Sequence, residues 1–332
     1  MGLTLLWLIY MAASWGPDSP IAQFFEQGTV QFIEISHSDI FFTGRDVLLD
    51  GAEISSALDI MRNDSTFMWQ HECILFLRAY VELHPEREAE LVQRMKEGRF
   101  DIGATFTEGF ESSMYNEALV RQMYEGRKWF VERYPGIDSA VVAFHQDAPL
   151  RALQQPQVYA KAGVRYLKAS RFSDKIFRWA APDGSSLLTF DEYHYYKPWA
   201  NTVPYILDQF AQYYPDFAMG SFPPVLPLTW GRDNFDPQPR ESGALKPLFD
   251  GWANASGPAW AAFGHQPPPI RFGHVKSFLE ALEASPHFRP PVLAGEKPNL
   301  WWAETSPTHH RMMSDYRAAA RLLPAAEAFS TF

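Results

Sequence analysis

The chain has 332 residues, 46% of them hydrophobic and 20% charged, with a formal net charge of −10. That length and apolar content suffice for a sizeable core and exclude intrinsic disorder, while the acidic balance argues against a nucleic-acid partner, whose phosphates need a basic surface. The single cysteine, Cys73, excludes an intramolecular disulfide and a cysteine-based zinc site, and is expected in the core as a small hydrophobe.

Residues 3–13, LTLLWLIYMAA, are long enough for the apolar part of a signal peptide, but no Lys or Arg precedes them. They are too short to span a bilayer. Residues 1–28 are therefore expected to be a hydrophobic segment, either a signal peptide or an extension, with a cytoplasmic setting slightly favoured over secretion. The sequons at Asn63-Asp64-Ser65 and Asn254-Ala255-Ser256 matter only in a secreted chain.

Residues 31–44, QFIEISHSDIFFTG, begin as a strand, with Phe32, Ile33 and Ile35 around Glu34. Residues i and i+2 of a strand point to the same side. His37 and Asp39 are thus expected to project together from the strand end, and an imidazole beside a carboxylate can hold Zn²⁺. A single His-x-Asp also occurs as a plain hydrogen-bonded turn. A second copy strengthens the metal reading: residues 139–144, SAVVAF, form another buried-looking strand that runs into His145-Gln146-Asp147.

Between these stations the sequence predicts a helix over 47–62, a strand over 67–72 ending in Glu72, and helices over 74–83 and 86–97, the latter closed by Gly98. A strand over 100–106 follows, then a long helix over 117–134 capped by Asn116. After the strand at 139–144 come a helix over 153–162, closed by Gly163, and a strand over 164–168. Such alternation marks an α/β fold with a parallel sheet, open or closed into a barrel. The chemistry of such folds gathers at the carboxyl ends of the strands.

The middle is less regular. Strand-like pieces over 177–188 flank a turn at Pro182-Asp183-Gly184, and residues 191–199, DEYHYYKPW, read as an aromatic loop. A helix over 205–214 and a strand over 224–229 lead to Trp230-Gly231-Arg232-Asp233-Asn234. Residues 237–269 read as long connections with one helix, and 269–284 repeat the strand–helix unit. Ser306 and Pro307 can open a last helix to about residue 329, with Pro324 kinking or breaking it. Its stripe of Met312, Met313, Tyr316, Ala319, Ala320 and Leu323 needs a partner, so residues 306–332 read as the start of a helical domain.

These stations, in this order, resemble the N-terminal part of glycoside hydrolase family 38, the zinc-dependent α-mannosidases. ISHSDIFFTG is similar to the family's opening His-x-Asp segment. GRFDIGATFTEGFESSMYNEALVRQMYEGRKWF resembles the segment before its nucleophile strand, and VVAFHQDAPLRALQQPQVYAKAGVRYL that strand and the next helix. PLTWGRDNFDP and GEKPNLWWAETSPTHHRMMSDYRAAARLLPAAEAF resemble later stations. The resemblance implies a seven-stranded β/α barrel over residues 29–305, then the start of a C-terminal helical bundle.

It also implies residue roles. His37 and Asp39 match two zinc ligands, Asp147 the residue that is third ligand and nucleophile, and Asp233 the general acid/base. Glu72, Trp230 and Phe41 are then candidates for contact with the carbohydrate substrate, with Glu108 and Glu111 behind them. The family's fourth ligand is a His from a region beyond this sequence; His145, His274, His309 and His310 offer substitutes, and spacing selects none of them. Two departures narrow the expected sugar pocket: Phe41 stands where a small residue is usual, and Ala148-Pro149-Leu150 lacks the usual glycine.

The expected function is a zinc-dependent retaining glycoside hydrolase for α-mannosides or related glycans, completed by a C-terminal domain or a homo-oligomeric partner. One alternative is a truncated, non-catalytic relative that at most binds carbohydrate. The other is a zinc-dependent sugar deacetylase. That chemistry wants a His-x₃-His pair after the first site, and none follows His71, His84 or His145.

Overall fold

The computed structural model describes residues 26–38, 51–109, 114, 116–147, 152–170, 175–192, 194–218, 221–253, 267–296 and 310–331. Residues 3–13, Asp39, Phe41, Glu111 and His309 lie outside them. Among the described residues no helix is long and apolar enough to cross a membrane.

Strand β1 (Thr29–His37) is buried from Val30 to its end, as expected of a strand covered on both faces. It pairs in parallel with β8 (Val225–Asp233) along its whole length and with β9 (Ile270–Gly273) at its start. A second sheet has the order β10 (Val292–Ala294), β6 (Lys175–Ala180), β7 (Ser186–Glu192), β5 (Tyr166–Ser170), β4 (Val142–His145). Among the described residues its one antiparallel pair is the β6–β7 hairpin, built around the expected turn, where Gly184 takes φ 86°. A third sheet pairs β2 (Trp69–His71) with β3 (Phe100–Ile102), and a parallel bridge from Gly103 to Val142 joins β3 to β4. The architecture is a mixed α/β fold with parallel sheets. Among the described residues the ladders do not close into the expected seven-stranded ring.

Several boundaries differ from expectation for local reasons. The strand predicted over 100–106 ends at Ile102, because the backbone beyond it serves other partners. Ala104 donates to Val142, Phe106 to Gln122, and Thr105 accepts from Ile74. Gly103 sits where a Cβ would lie 1.7 Å from the Glu72 carbonyl oxygen. The long helix appears as α4 (Asn116–Met123) and α5 (Trp129–Arg133), with a π stretch at Tyr124–Lys128 between them. The last helix, His310–Thr331, runs through Pro324 and does not break there. Its Glu327 meets Arg121 of α4 in a two-pronged ion pair, and its Leu322, Leu323 and Phe329 are exposed.

The helices pack by their apolar stripes. Helix α1 (Ala52–Asn63) buries Ile54, Ala57, Leu58 and Met61, and α2 (Ile74–Leu83) buries Ile74, Leu77 and Val81. Behind β1, the Phe32 ring lies 5.7–6.0 Å from those of Trp230, Phe249 and Phe272. This aromatic layer locks β1 against β8 and β9. The lock depends on Gly231, where a Cβ would lie 2.0 Å from the Ile35 carbonyl oxygen. Gly231→Ala is expected to force the two strands apart and cost about 1–3 kcal/mol. It would be read as a lower denaturant midpoint with an unchanged slope.

Candidate active site at the strand ends

The β1–β8 register sets His37 directly beside Asp233. The pairing continues past the strands: Asn234 N–H donates to the His37 carbonyl at 2.8 Å, and Phe235 N–H to Ser36 Oγ at 2.9 Å. His37 is buried, with Nδ1 3.2 Å from Glu72 Oε2 and 3.3 Å from Glu108 Oε2. Ser38 N–H donates to the other Glu72 oxygen at 2.6 Å. Asp147 N–H donates to Glu108 Oε1 at 2.6 Å. Glu108 thereby joins the end of β4 to the end of β1.

Burial pushes the Glu72 carboxyl up, His37 pulls it back, and the charge of Glu108 raises it again. The same environment raises the Cys73 thiol, chiefly by burial and then by Glu72 and Glu108. Cys73 is 1% exposed, as expected of a small core hydrophobe.

On the other flank, Tyr195 Oη donates to Asp233 Oδ1 at 2.6 Å, and its ring lies 4.9 Å from that of His37. Burial raises the Tyr195 phenol, and the charges of Asp147 and Asp233 add to this. The group therefore stays protonated and acts as a donor. In the sequence Tyr195 is one aromatic of a loop; nothing local distinguishes it from Tyr193 or Tyr196. Only the fold brings it to Asp233.

Among the described residues, His37, Glu72 and Glu108 each offer one ligand atom, all within 4.8 Å of one another. Zinc bonds of about 2.0–2.2 Å put tetrahedral ligands roughly 3.4 Å apart. The contacts of 3.2 and 3.3 Å match that spacing, and a nitrogen with carboxylate oxygens suits a divalent cation. The residues present therefore fit a metal. The set differs from the expected one: Asp39 is outside the described residues, and the Asp147 carboxylate is not among these three donors.

Two expected sugar contacts are placed elsewhere. Glu72 is 2% exposed and faces His37, so it belongs to the polar cluster and not to a cleft wall. Trp230 is packed in the core, with ring centroids 5.7 Å from Phe32 and 4.6 Å from Phe235 and with Nε1 donating to the Pro198 carbonyl. Two substitute ligands are otherwise engaged. His145 is buried against Tyr159 Oη at 2.8 Å and Gln155, and burial lowers its imidazole to about 4. His274 caps helix α9 (Val275–Ala284) and lies 3.0 Å from the Gly98 carbonyl.

The model of the glycosyl hydrolases family 38 N-terminal domain matches residues 50–309. The chain belongs to glycosyl hydrolase family 38. This family 38 match begins after β1, so the His37–Asp39 station lies upstream of it. An alpha-mannosidase from Enterococcus faecalis is similar in structure, with TM-score 0.62 and 16% identity over 82% of this chain and 31% of that one. A protein of glycosyl hydrolase family 38 from the same organism gives TM-score 0.55 and 15% identity, over 81% of this chain and 29% of that one. The 4-alpha-glucanotransferase of Thermococcus litoralis gives 0.52 and 14%, over 89% and 47%. At these identities the likeness is one of fold. The chain spans about a third of the length of the two Enterococcus proteins. No curated protein matches it.

Proposed function

We propose that this family 38 chain carries the bond-cleaving region of a zinc-dependent retaining glycosidase for α-mannosides or related glycans. One observation carries the reading: buried His37 lies between Glu72 and Glu108 at the strand ends, with Asp147 and Asp233 tied to that cluster through Glu108 and Tyr195. His37, Glu72 and Glu108, with Asp39 and Asp147 from the family resemblance, would hold the metal. Bound zinc would supply Lewis-acid attraction for sugar hydroxyls.

In this reading the Asp147 carboxylate attacks the anomeric carbon as the glycosidic C–O bond breaks. Asp233 gives its proton to the leaving oxygen, then takes one from the water that frees the sugar. Tyr195 occupies Oδ1 of Asp233, so Oδ2 carries the travelling proton. The two parallel arcs, β9-β1-β8 and β2-β3-β4-β5-β7, would be parts of one β/α barrel around this site.

The test is zinc content with hydrolysis of an aryl α-mannoside and the anomer released. The reading expects about one zinc per chain, turnover lost on chelation, and retained configuration. An inverted product would remove Asp147 as nucleophile; absence of both zinc and turnover would remove the whole reading. A second reading is a non-catalytic relative that at most binds carbohydrate, favoured by the absence of the Asp147 carboxylate from the three clustered donors. Zinc bound without turnover would select it. Asp233→Asn is expected to slow hydrolysis roughly 100-fold or more on a poor leaving group. The loss should be far smaller on an aryl group that departs without protonation, so an equal loss on both substrates would exclude Asp233 as the acid.

A further inference from the structure

We propose that Glu53 and His71 form a second clamp on the end of β1, positioning residues that fix where His37 presents its imidazole. Pleating sends neighbouring residues of a strand to opposite sides. At the adjoining ends of β1 and β2 this alternation pairs side chains twice. On one side His37 meets Glu72 at 3.2 Å. On the other Ser38 meets His71, Oγ to Nε2, at 3.4 Å. Glu53, from the first turn of α1, completes the second side. Its Oε2 accepts from Ser38 Oγ at 3.3 Å and lies 3.5 Å from His71 Nε2.

All three side chains are buried: Ser38 is 6% exposed, Glu53 4% and His71 3%, with the Phe76 ring 4.6 Å from the imidazole. Burying a carboxylate and an imidazole is costly unless they are partnered. Neither takes part in the proposed bond cleavage, so their shared partner, Ser38, is what they act on. Ser38 connects the two sides, because its N–H goes to Glu72 and its hydroxyl to Glu53. Outer partners that orient ligands commonly change metal affinity by about 10–100-fold.

The clamp rests on the zinc reading for one of its two readouts and is independent of it for the other. The first readout is hydrogen exchange of the Ser38 amide against that of Phe32, in mid-strand, for wild type, Glu53→Ala, Glu53→Gln and Ser38→Ala. The second is zinc affinity by chelator competition. In Glu53→Ala and Ser38→Ala the Ser38 amide should exchange at least about 10-fold faster with Phe32 unchanged, and zinc affinity should fall about 10–100-fold. Glu53→Gln, which keeps an acceptor oxygen, should restore both to near wild type. An unchanged Ser38 amide, or one that rises in step with Phe32, overturns the clamp. If wild type binds no zinc, the zinc reading falls and the exchange data alone decide the clamp. If Glu53→Ala fails to fold, Ser38→Ala, which removes a single hydroxyl, decides it by the same two measurements.

Discussion

His37→Ala is expected to cost both metal and fold. The imidazole is the one nitrogen donor of the three-residue group and stands between two carboxylates. Without it, Glu72 and Glu108 each lose a partner at 3.2–3.3 Å inside a buried cluster. Leaving a buried polar group without its partner costs about 1–3 kcal/mol, and more for a charged one, so thermal unfolding should shift down by several degrees. Zinc affinity should fall by more than the roughly 100-fold upper limit seen for outer partners, since a direct ligand is lost. Elemental analysis and a melting curve on the same sample check both effects. Zinc retained at the wild-type ratio would show that the metal lies elsewhere.

Glu192→Gln should be comparably damaging, through charge in the core. Glu192, at the end of β7, holds Lys168 at 2.8 Å and Lys197 at 2.7 Å, and accepts from Thr229 Oγ1. Lys168 is 0% exposed. Burial alone would raise the Glu192 carboxyl, but the two ammonium groups outweigh it and hold it at about 2. A carboxyl depressed in the folded state contributes stability above its unfolded value, and that contribution is lost as pH falls through the folded value. Wild type should therefore lose stability between roughly pH 4.5 and 2 in part through this group. Glu192→Gln should lack that part of the slope and be about 3–5 kcal/mol less stable at neutral pH, because it takes the carboxylate away from the fully buried Lys168 and the half-buried Lys197. Equal urea midpoints for the two proteins at pH 7 would refute this. Lys197 N–H also donates to the Gly231 carbonyl. Loosening it should disturb the approach of Tyr195 to Asp233.

Much of the fold was legible because apolar period and turn chemistry report local structure directly. The stripe of α1, the hairpin around Gly184 and the strand–helix unit at β9 and α9 all follow from residues close in sequence. The shortened third strand was not legible, since the residues after Ile102 are claimed by Val142 and Gln122, far along the chain. His37 could be singled out because its neighbours in sequence suggested a ligand. Glu108 reads as a secondary candidate in the sequence and Tyr195 does not stand out, because each owes its place to a loop whose course only tertiary packing sets. Trp230 misled for a related reason: an aromatic next to the site sequence looks like a sugar platform until its neighbours in the core are known.

The alignment of His37 with Asp233 across one parallel ladder has a bearing on redesign. Opposed positions on adjacent strands stay about 4.8 Å apart whatever their side chains do. The gap between the imidazole's anchor and the carboxylate's anchor is thus a property of main-chain hydrogen bonding. Inserting or deleting one residue in β8 ahead of Asp233 would turn that side chain to the reverse face. Remodelling efforts would do better to leave these two strands intact as a unit and vary the connections that leave them.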